Sequence, residues 1–452
     1  MGTAMWDDVG SGEVSDLLVA LIQDACVNDG TADSGNEVRA ADTLEAYLAS
    51  TGERFEPHPG RRSVLYRVPG TDPAAPSLML MGHTDVVPVS PGGWSVDPFA
   101  GHRSEGFVWG RGAVDMLNIT AAMAVVFKRH LEGKAPRLRG DLLFLGVADE
   151  EAAGTLGARW LVEHEWDAVK CEYLLTEIGT PMIQGQSGPG LPVTVSEKGP
   201  QWRRIVGTGE PSHGSQPYGT ANALLPVADV VTRLASSPAP VVVSDEWRKF
   251  VEAWDPGEIA EDLLDPDLVD AAIDRIALDD IGLARWVHAC THLTISPNVL
   301  HGGIKANVVP DAAAAEIDVR SLPGQDEADV DDHFRKVIGP SLEEQIDIIT
   351  MQATAASGSP TEGPLWDALG EALDGIRPGV HLVPSLIPVA TDARFFRRRG
   401  TVAYGVGLFD DRVGFGDFLR MFHGHDERVS EDSLALTVRL LGATVDRFGR
   451  KV

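Results

Sequence analysis

Cysteine is scarce: the 452 residues contain three, Cys26, Cys171 and Cys290, odd in number and far apart. This excludes a disulfide framework and a cysteine-based zinc site, favours a reducing compartment, and leaves the three as small buried hydrophobes. Basic residues are also few, 38 Lys and Arg against 67 Asp and Glu for a formal charge of −29, which excludes nucleic acid and an anionic membrane as partners. No apolar run is long enough to span a bilayer, and Met1–Asp8 has no basic segment followed by an apolar one, so a cytoplasmic protein is expected. Several catalytic signatures are missing. Gly207-Thr208-Gly209-Glu210-Pro211-Ser212 and Gly405-Val406-Gly407-Leu408-Phe409-Asp410 lack the third glycine of a dinucleotide loop. Gly185-Gln186-Ser187-Gly188-Pro189 has proline where a nucleophile elbow needs glycine, and neither a Gly-Lys-Ser/Thr loop nor His-Glu-x-x-His occurs.

What remains is a globular composition, 43% hydrophobic and 23% charged, over a length that suggests two or three domains. Apolar residues at helical spacing predict helices over Val14–Val27, Val38–Leu48 and Ile119–Leu131, with another near Thr155–Glu163. Between them Ser63–Val68, Leu78–Met81, Phe107–Trp109, Asp141–Ala148 and Tyr173–Thr176 read as strands. Alternating strand and helix implies an α/β sheet whose sites lie at the carboxyl ends of its strands. A Gly, Pro, Gln and Ser-rich stretch near Gly185–Pro192 reads as a hinge. Beyond it, strands over Pro192–Gly207, a helix over Asn222–Leu234, a strand pair at Thr291–Ser296 and Ala313–Arg320, and a helix over Ala328–Ile338 make a small inserted α+β unit. Asp245–Ala289, acidic and carrying Trp247, Trp254 and Trp286, reads as a helical elaboration of that insert. After a second linker at Ala353–Gly363, a helix at Leu365–Leu373, a strand-like run at Arg399–Val406 and a closing helix at Ser430–Phe448 resume the first unit.

Polar residues collect at the predicted strand ends. His83 closes an apolar run, and alternation along a strand lets Asp85 hold its imidazole while the other nitrogen stays free for a metal. Asp115 follows Gly110-Arg111-Gly112, Asp149-Glu150-Glu151 follows the strand at Asp141–Ala148, and Glu177 ends the next one. Late in the chain comes Phe422-His423-Gly424-His425-Asp426-Glu427-Arg428-Val429. Imidazoles and carboxylates without cysteine suit zinc, cobalt or manganese, and a carboxylate shared by two ions would make a two-metal hydrolytic site.

These motifs in this order, with Ser212-His213-Gly214-Ser215 between them, resemble the M20 family of metallopeptidases and amidohydrolases over nearly the whole chain. That family includes aminoacylases, glutamate carboxypeptidases, succinyl-diaminopimelate desuccinylase, acetylornithine deacetylase and carboxypeptidase S. Ser196-Glu197-Lys198-Gly199, Ile205-Val206 and the long insert lean towards the carboxypeptidase S and N-fatty-acyl-amino-acid hydrolase branch. The resemblance implies an α/β, zinc-exopeptidase-like catalytic domain with a mixed, mostly parallel sheet (1–192 and 356–452), interrupted by an α+β lid or dimerisation domain (193–355) with a helical insert at 245–290. It implies two divalent ions, zinc first, one on His83, Asp115 and Glu177 and the other on Asp115, Glu151 and His423. Glu150 is then the general base acting on a metal-bridging water, and Asp85 the carboxylate that orients His83. In the lid, His213 would stabilise the oxyanion, often from a partner subunit, and Asn307 and Arg320 would bind substrate, an arginine clasping a carboxylate in a bidentate pair.

Glu177, where family aminopeptidases tend to carry Asp, leans towards a leaving group with a free carboxylate. The expected activity is hydrolysis of an N-acyl-amino acid or short peptide. A dipeptidase or other exopeptidase, and a family member that binds metal or peptide without catalysis, are the alternatives. An exposed strand edge in the lid would permit a homodimer, with the oligomeric state left open. Spacing favours His423 over His425 as ligand. Asp149 reads as a solvated or hydrogen-bonded side chain, Arg397-Arg398-Arg399 as a solvated face, and His102, His130, His164, His288, His292 and His333 as ordinary surface or core histidines. Leu117-Asn118, where the family often has Lys-Gly, predicts different surroundings for the bridging ligand.

Overall fold

Leu78–His83 and Leu142–Val147 offer no polar side chain before their last positions, and both strands are buried along their whole length. They lie at the centre of a ten-stranded sheet in which Leu142–Val147, Leu78–His83, Tyr173–Thr176 and Val402–Gly405 run parallel, side by side. Such strands need cover on both faces. On one face Leu80, Leu142 and Phe144 pack under the helices Ser11–Gln23, Leu117–Leu131, Pro364–Ile376 and Glu431–Lys451. On the other, Met79, Met81, Leu143 and Leu145 meet Ala158–His164 and Ala393–Arg397. The alternation along each strand thus feeds two separate cores. The closing helix starts where its cap demands, Ser430 Oγ accepting from Ser433 N at 3.0 Å.

This computed structural model describes residues 4–7, 9–90 and 92–452. Met1–Thr3 and Asp8, part of the N-terminal stretch read for a leader, lie outside the described residues. Among those described, no helix is long and apolar enough to cross a membrane. The cysteines are free and buried.

The segment read as a hinge is instead a hairpin: Ile183–Gly185 pairs antiparallel with the start of Gly188–Glu197, a long strand of the same sheet. Its glycines serve the turn, Gly188 at φ +109°. A strand at His381–Ile387, absent from the sequence reading, runs parallel to Gly188–Glu197. A separate five-stranded sheet holds Arg203–Thr208, Thr294–Gly302, Ala312–Ser321 and Ile346–Thr350, with Leu224–Ser236 and Glu327–Ile338 on one face. The helices between 245 and 291 do not pack as an ornament of that sheet. Trp247, Phe250, Trp254 and Trp286 share a core with Ile183, Val383 and Leu386 of the large sheet and with Phe415.

The arginine run is also corrected. Arg397 is buried, its guanidinium 3.0 Å from the buried Glu197 and donating to Ala403 O, whereas Arg398 and Arg399 are exposed. Arg397 is the last residue of the helix Ala393–Arg397 and is buried with it, whereas Arg398 and Arg399 lie in the turn beyond the helix end, in solvent.

Candidate metal centre

The strand ends converge. His83 is the last residue of its strand, Glu150 and Glu151 form the turn after Leu142–Val147, and Glu177 follows Tyr173–Thr176. Asp115 arrives from the turn before Leu117–Leu131, and His423 from a loop in which it takes a left-handed conformation, φ +56°. His83 Nε2 lies 3.2 Å from Asp115 Oδ1 and 3.7 Å from Glu177 Oε2. His423 Nε2 lies 3.3 Å from both Asp115 Oδ2 and Glu151 Oε2. In the trios His83, Asp115, Glu177 and Asp115, Glu151, His423 the donor atoms are within 4.8 Å of one another, and Asp115 belongs to both. His425 points elsewhere, edge-on to Trp94 with ring centroids 6.4 Å apart.

The scaffold behind this cluster differs from the sequence reading at Asp85. His83 Nδ1 faces the backbone carbonyl of Asp85 at 3.0 Å, while the Asp85 carboxylate is 3.7 Å away. That carboxylate accepts instead from the backbone N–H groups of Glu150 and Glu151, at 3.2 and 3.1 Å, and from Asn28 Nδ2 at 2.8 Å. It therefore orients the glutamate doublet, and its own peptide oxygen orients the histidine. Asp149 is buried and hydrogen-bonded, accepting from Leu156 N at 2.7 Å and Asn28 Nδ2 at 3.3 Å, with Arg61 at 3.5 Å.

Glu427 does comparable work for the shared ligand: it accepts from Arg111 Nη1 and from the backbone N–H groups of Gly112, Val114 and Asp115 at 2.6–3.1 Å. It pins the Asp115 turn to the segment that brings His423, a role not assigned to it from the sequence. Leu117 and Asn118 are both buried at the start of their helix, and Asn118 Oδ1 has no hydrogen-bond partner.

Acid crowding dominates the electrostatics. Burial first, and the neighbouring carboxylates next, push Glu150 and Glu177 well above the ordinary range and raise Glu151. For Asp115 burial opposes charge, but hydrogen bonds to His423 and His83 hold it low. Burial also works against a charged His83, yet Asp115, Glu177 and Glu150 outweigh it and raise its pKa. Hydrogen bonds to Asp115 and Glu151 push His423 up to about 10. Glu151 Oε1 is buried without a partner. Buried like charges and an orphaned carboxylate oxygen are what a bound cation would compensate, and a donor set of imidazole and carboxylate fits a divalent ion.

Beside them Asp392, missed from the sequence, is buried with neither oxygen hydrogen-bonded, and burial pushes it up to about 7 against the pull of Arg394 and His83. The signal was an acid and an arginine, Asp392 and Arg394, in a stretch otherwise rich in apolar residues.

A cavity of about 810 Å³ opens on the cluster, lined by Asp115, Glu150, Glu151, Glu177 and His423 and, from the small sheet, Arg320. The other lid candidates are not there. His213 is exposed on the two-stranded ribbon of Ser212–His213 and Val308–Val309, its Nδ1 2.7 Å from Ser215 Oγ. Asn307 is exposed in the turn that leads into Val308–Val309 of that ribbon, its carbonyl accepting from Gly214 N at 2.8 Å.

A sequence model described as "Peptidase family M20/M25/M40" matches residues 79–447. Aminoacylase-1 of Mus musculus is 26% identical over 416 residues, 90% of this chain and 88% of the relative. The N-fatty-acyl-amino acid synthase/hydrolase PM20D1 of Xenopus tropicalis is 27% identical over 394 residues, 84% and 74% of the two chains. The M20 family metallo-carboxypeptidase Sso-CP2 from Sulfolobus solfataricus superposes with a TM-score of 0.74 at 16% identity, covering 97% of this chain and 99% of that one.

Proposed function

The chain belongs to peptidase family M20/M25/M40 and is a metal-dependent hydrolase of amide or peptide C–N bonds, and from that premise we propose that it cleaves an N-acyl-amino acid, or a short peptide, beside a free carboxylate. The observation that carries this reading is the doublet: Glu150 and the ligand candidate Glu151 line one cavity together with Asp115, Glu177 and His423 of the two donor trios. His83, Asp115 and Glu177 would hold one divalent ion and Asp115, Glu151 and His423 a second, with zinc the first choice for two imidazoles and carboxylates, and cobalt or manganese next. Bound there, the ions would lower the pKa of a water and polarise the substrate carbonyl.

Glu150 accepts the proton of the attacking water and returns it to the leaving nitrogen as the C–N bond breaks, so an acid and an amine depart. Asp85 keeps the doublet in register through its two backbone N–H bonds. The acyl group meets the apolar wall of Trp202, Trp286, Phe415 and Phe422, and the free carboxylate meets the arginines of the same cavity, Arg320 among them. Relatives named for acyl-amino-acid chemistry support this choice, and a cytoplasmic setting suits three buried free thiols.

Two copies would pair through their lids, each supplying His213 as an oxyanion donor and Asn307 as a substrate contact to the other's cavity. In support, the ribbon is flanked by the exposed apolar side chains Tyr218, Leu300 and Ile304.

The test is a panel of N-acyl-amino acids and dipeptides on metal-reconstituted enzyme, where dipeptide turnover with no action on any N-acyl-amino acid would overturn the substrate assignment. Glu150→Gln is expected to lower kcat by roughly two to four orders of magnitude while metal content stays at the wild-type level. Unchanged turnover would refute the role of Glu150.

A further inference from the structure

Four arginines line the cavity: Arg285, Arg320, Arg394 and Arg420. Three are already engaged. Arg394 is buried and donates to Thr391 O and Ala153 O. Arg420 is paired with Asp417. Arg320, the arginine singled out from the sequence, is held by Asp318 through Nε and Nη2 at 3.0 to 3.3 Å. Arg285 alone of the four has no hydrogen bond, ion pair or ring contact among the described residues, in a protein where acids outnumber bases 67 to 38.

Its backbone is nonetheless fixed. Asp280 caps the helix Ile281–Thr291 by accepting from Leu283 N at 3.0 Å. A Cβ on Gly282 would sit 2.5–2.8 Å from Gly416 backbone atoms, so this helix lies directly against Phe415–Leu419. Trp286 stands edge-on to Phe415, centroids 5.6 Å apart, and Val287 and Cys290 are buried on the inner side. A rigid helix thus places Arg285, exposed and with no resident acid among the described residues, on the wall of the cavity that Asp115, Glu151, Glu177 and His423 also line.

We propose that Arg285 is the residue that recognises the substrate's free carboxylate, and that it does so ahead of Arg320, because a planar fork with no resident acid can take a carboxylate in a bidentate pair without displacing one. The assignment rests on the acyl-amino-acid reading above. It makes the helical insert a specificity element: the substrates are N-acyl-amino acids with the α-carboxylate directed at the helix Ile281–Thr291.

The experiment compares kcat/KM for an N-acyl-L-amino acid with that for its C-terminal carboxamide, on zinc-reconstituted wild type, Arg285→Ala, Arg285→Lys and Arg320→Ala. Binding of a non-cleavable N-alkyl-amino acid is measured by calorimetry on the same four proteins. Arg285→Ala should lower the acid-to-amide preference about ten- to a hundred-fold, mainly through KM, and weaken the analogue to a similar extent. Arg285→Lys should recover part of both, and Arg320→Ala should change them less. An unchanged preference and unchanged analogue affinity in Arg285→Ala, or a larger loss in Arg320→Ala, would overturn the proposal. If wild type cleaves no N-acyl-amino acid yet binds the analogue through Arg285, the catalytic reading fails and the recognition role stands. If the analogue does not bind wild type, the recognition role fails.

Discussion

His83 and His213 were both singled out from short motifs, and the structure treats them in opposite ways. His83 is 1% exposed, with one ring nitrogen on the Asp85 carbonyl and the other 3.2 Å from Asp115. His213 stands in solvent on a ribbon of two paired residues, its ring turned to its own neighbour Ser215. The first imidazole has its direction set by strands of the large sheet and by acids that must themselves be neutralised. The second is exposed and is not among the residues that line the cavity, so the catalytic role proposed for it requires a second surface to meet it. Pre-organisation in this molecule therefore resides in the strand-end cluster, while His213 of the small unit lies outside the cavity that the cluster faces.

The strongest way to break this contrast is at Asp115, which belongs to both donor trios. Asp115→Ala is expected to abolish measurable turnover and to strip bound metal, read by elemental analysis after gel filtration, and chelation of wild type should have the same effect on activity. Retained metal at full occupancy would mean that the trios are not the site.

A smaller effect is expected in the lid. His213→Ala should lower kcat by roughly a hundred-fold with metal content unchanged. Mixing it with an inactive Glu150→Gln partner should restore part of the activity, since a mixed dimer contains one intact cavity facing one intact lid. No restoration on mixing would deny the exchange between subunits.

Below that comes the support beneath the cluster. Asp85→Ala removes the acceptor of the Glu150 and Glu151 amides and should weaken metal binding about 10- to 100-fold, measured by competition with a chromogenic chelator. An effect confined to His83, with the doublet's contribution intact, would restore the simpler picture of a carboxylate–histidine pair.

His130 sharpens the comparison from outside the site, being buried like His83 but facing Asp446 at 3.7 Å and the Trp6 ring. Burial holds its pKa at about 4, below the ordinary 6.5. A depressed folded pKa means that its stabilising contribution is complete above pH 6.5 and is lost as pH falls towards 4, up to about 3 kcal/mol at roughly 1.4 kcal/mol per pH unit. Between pH 7 and 5, wild type should lose more of its Tm than His130→Gln does, and equal slopes would show that His130 is charged in the folded protein.

Much of the large sheet was legible in advance because its strands are continuous apolar runs, and Leu78–His83, Leu142–Val147 and Tyr173–Thr176 appear close to where periodicity put them. His381–Ile387 was not, since Pro384 and Ser385 interrupt its pattern. The hairpin at Ile183–Glu197 was mistaken for a hinge because its Gly and Pro content signals a break in either case. At the site, the motif residues His83, Asp115, Glu151, Glu177 and His423 do come together in two trios. Glu427, which stands in a quoted motif but reaches the turn of Asp115 across 312 positions, and the buried, unpartnered Asp392, marked only by Arg394 two residues on, owe their roles to contacts that no local pattern specifies.

The sequence by itself determined the family, the alternation of strand and helix and the set of polar residues delivered at strand ends, because side-chain periodicity and motif spacing are written within a few neighbouring residues. Tertiary structure alone decided which atoms those residues offer and to whom. It gave the Asp85 carboxylate to the glutamate doublet, buried Arg397 against Glu197, left His213 in solvent and left Arg285 uncommitted in the cavity. The physical reason is that burial and pairing are settled by groups hundreds of positions apart competing for one another, and such competition has no period for a sequence to display.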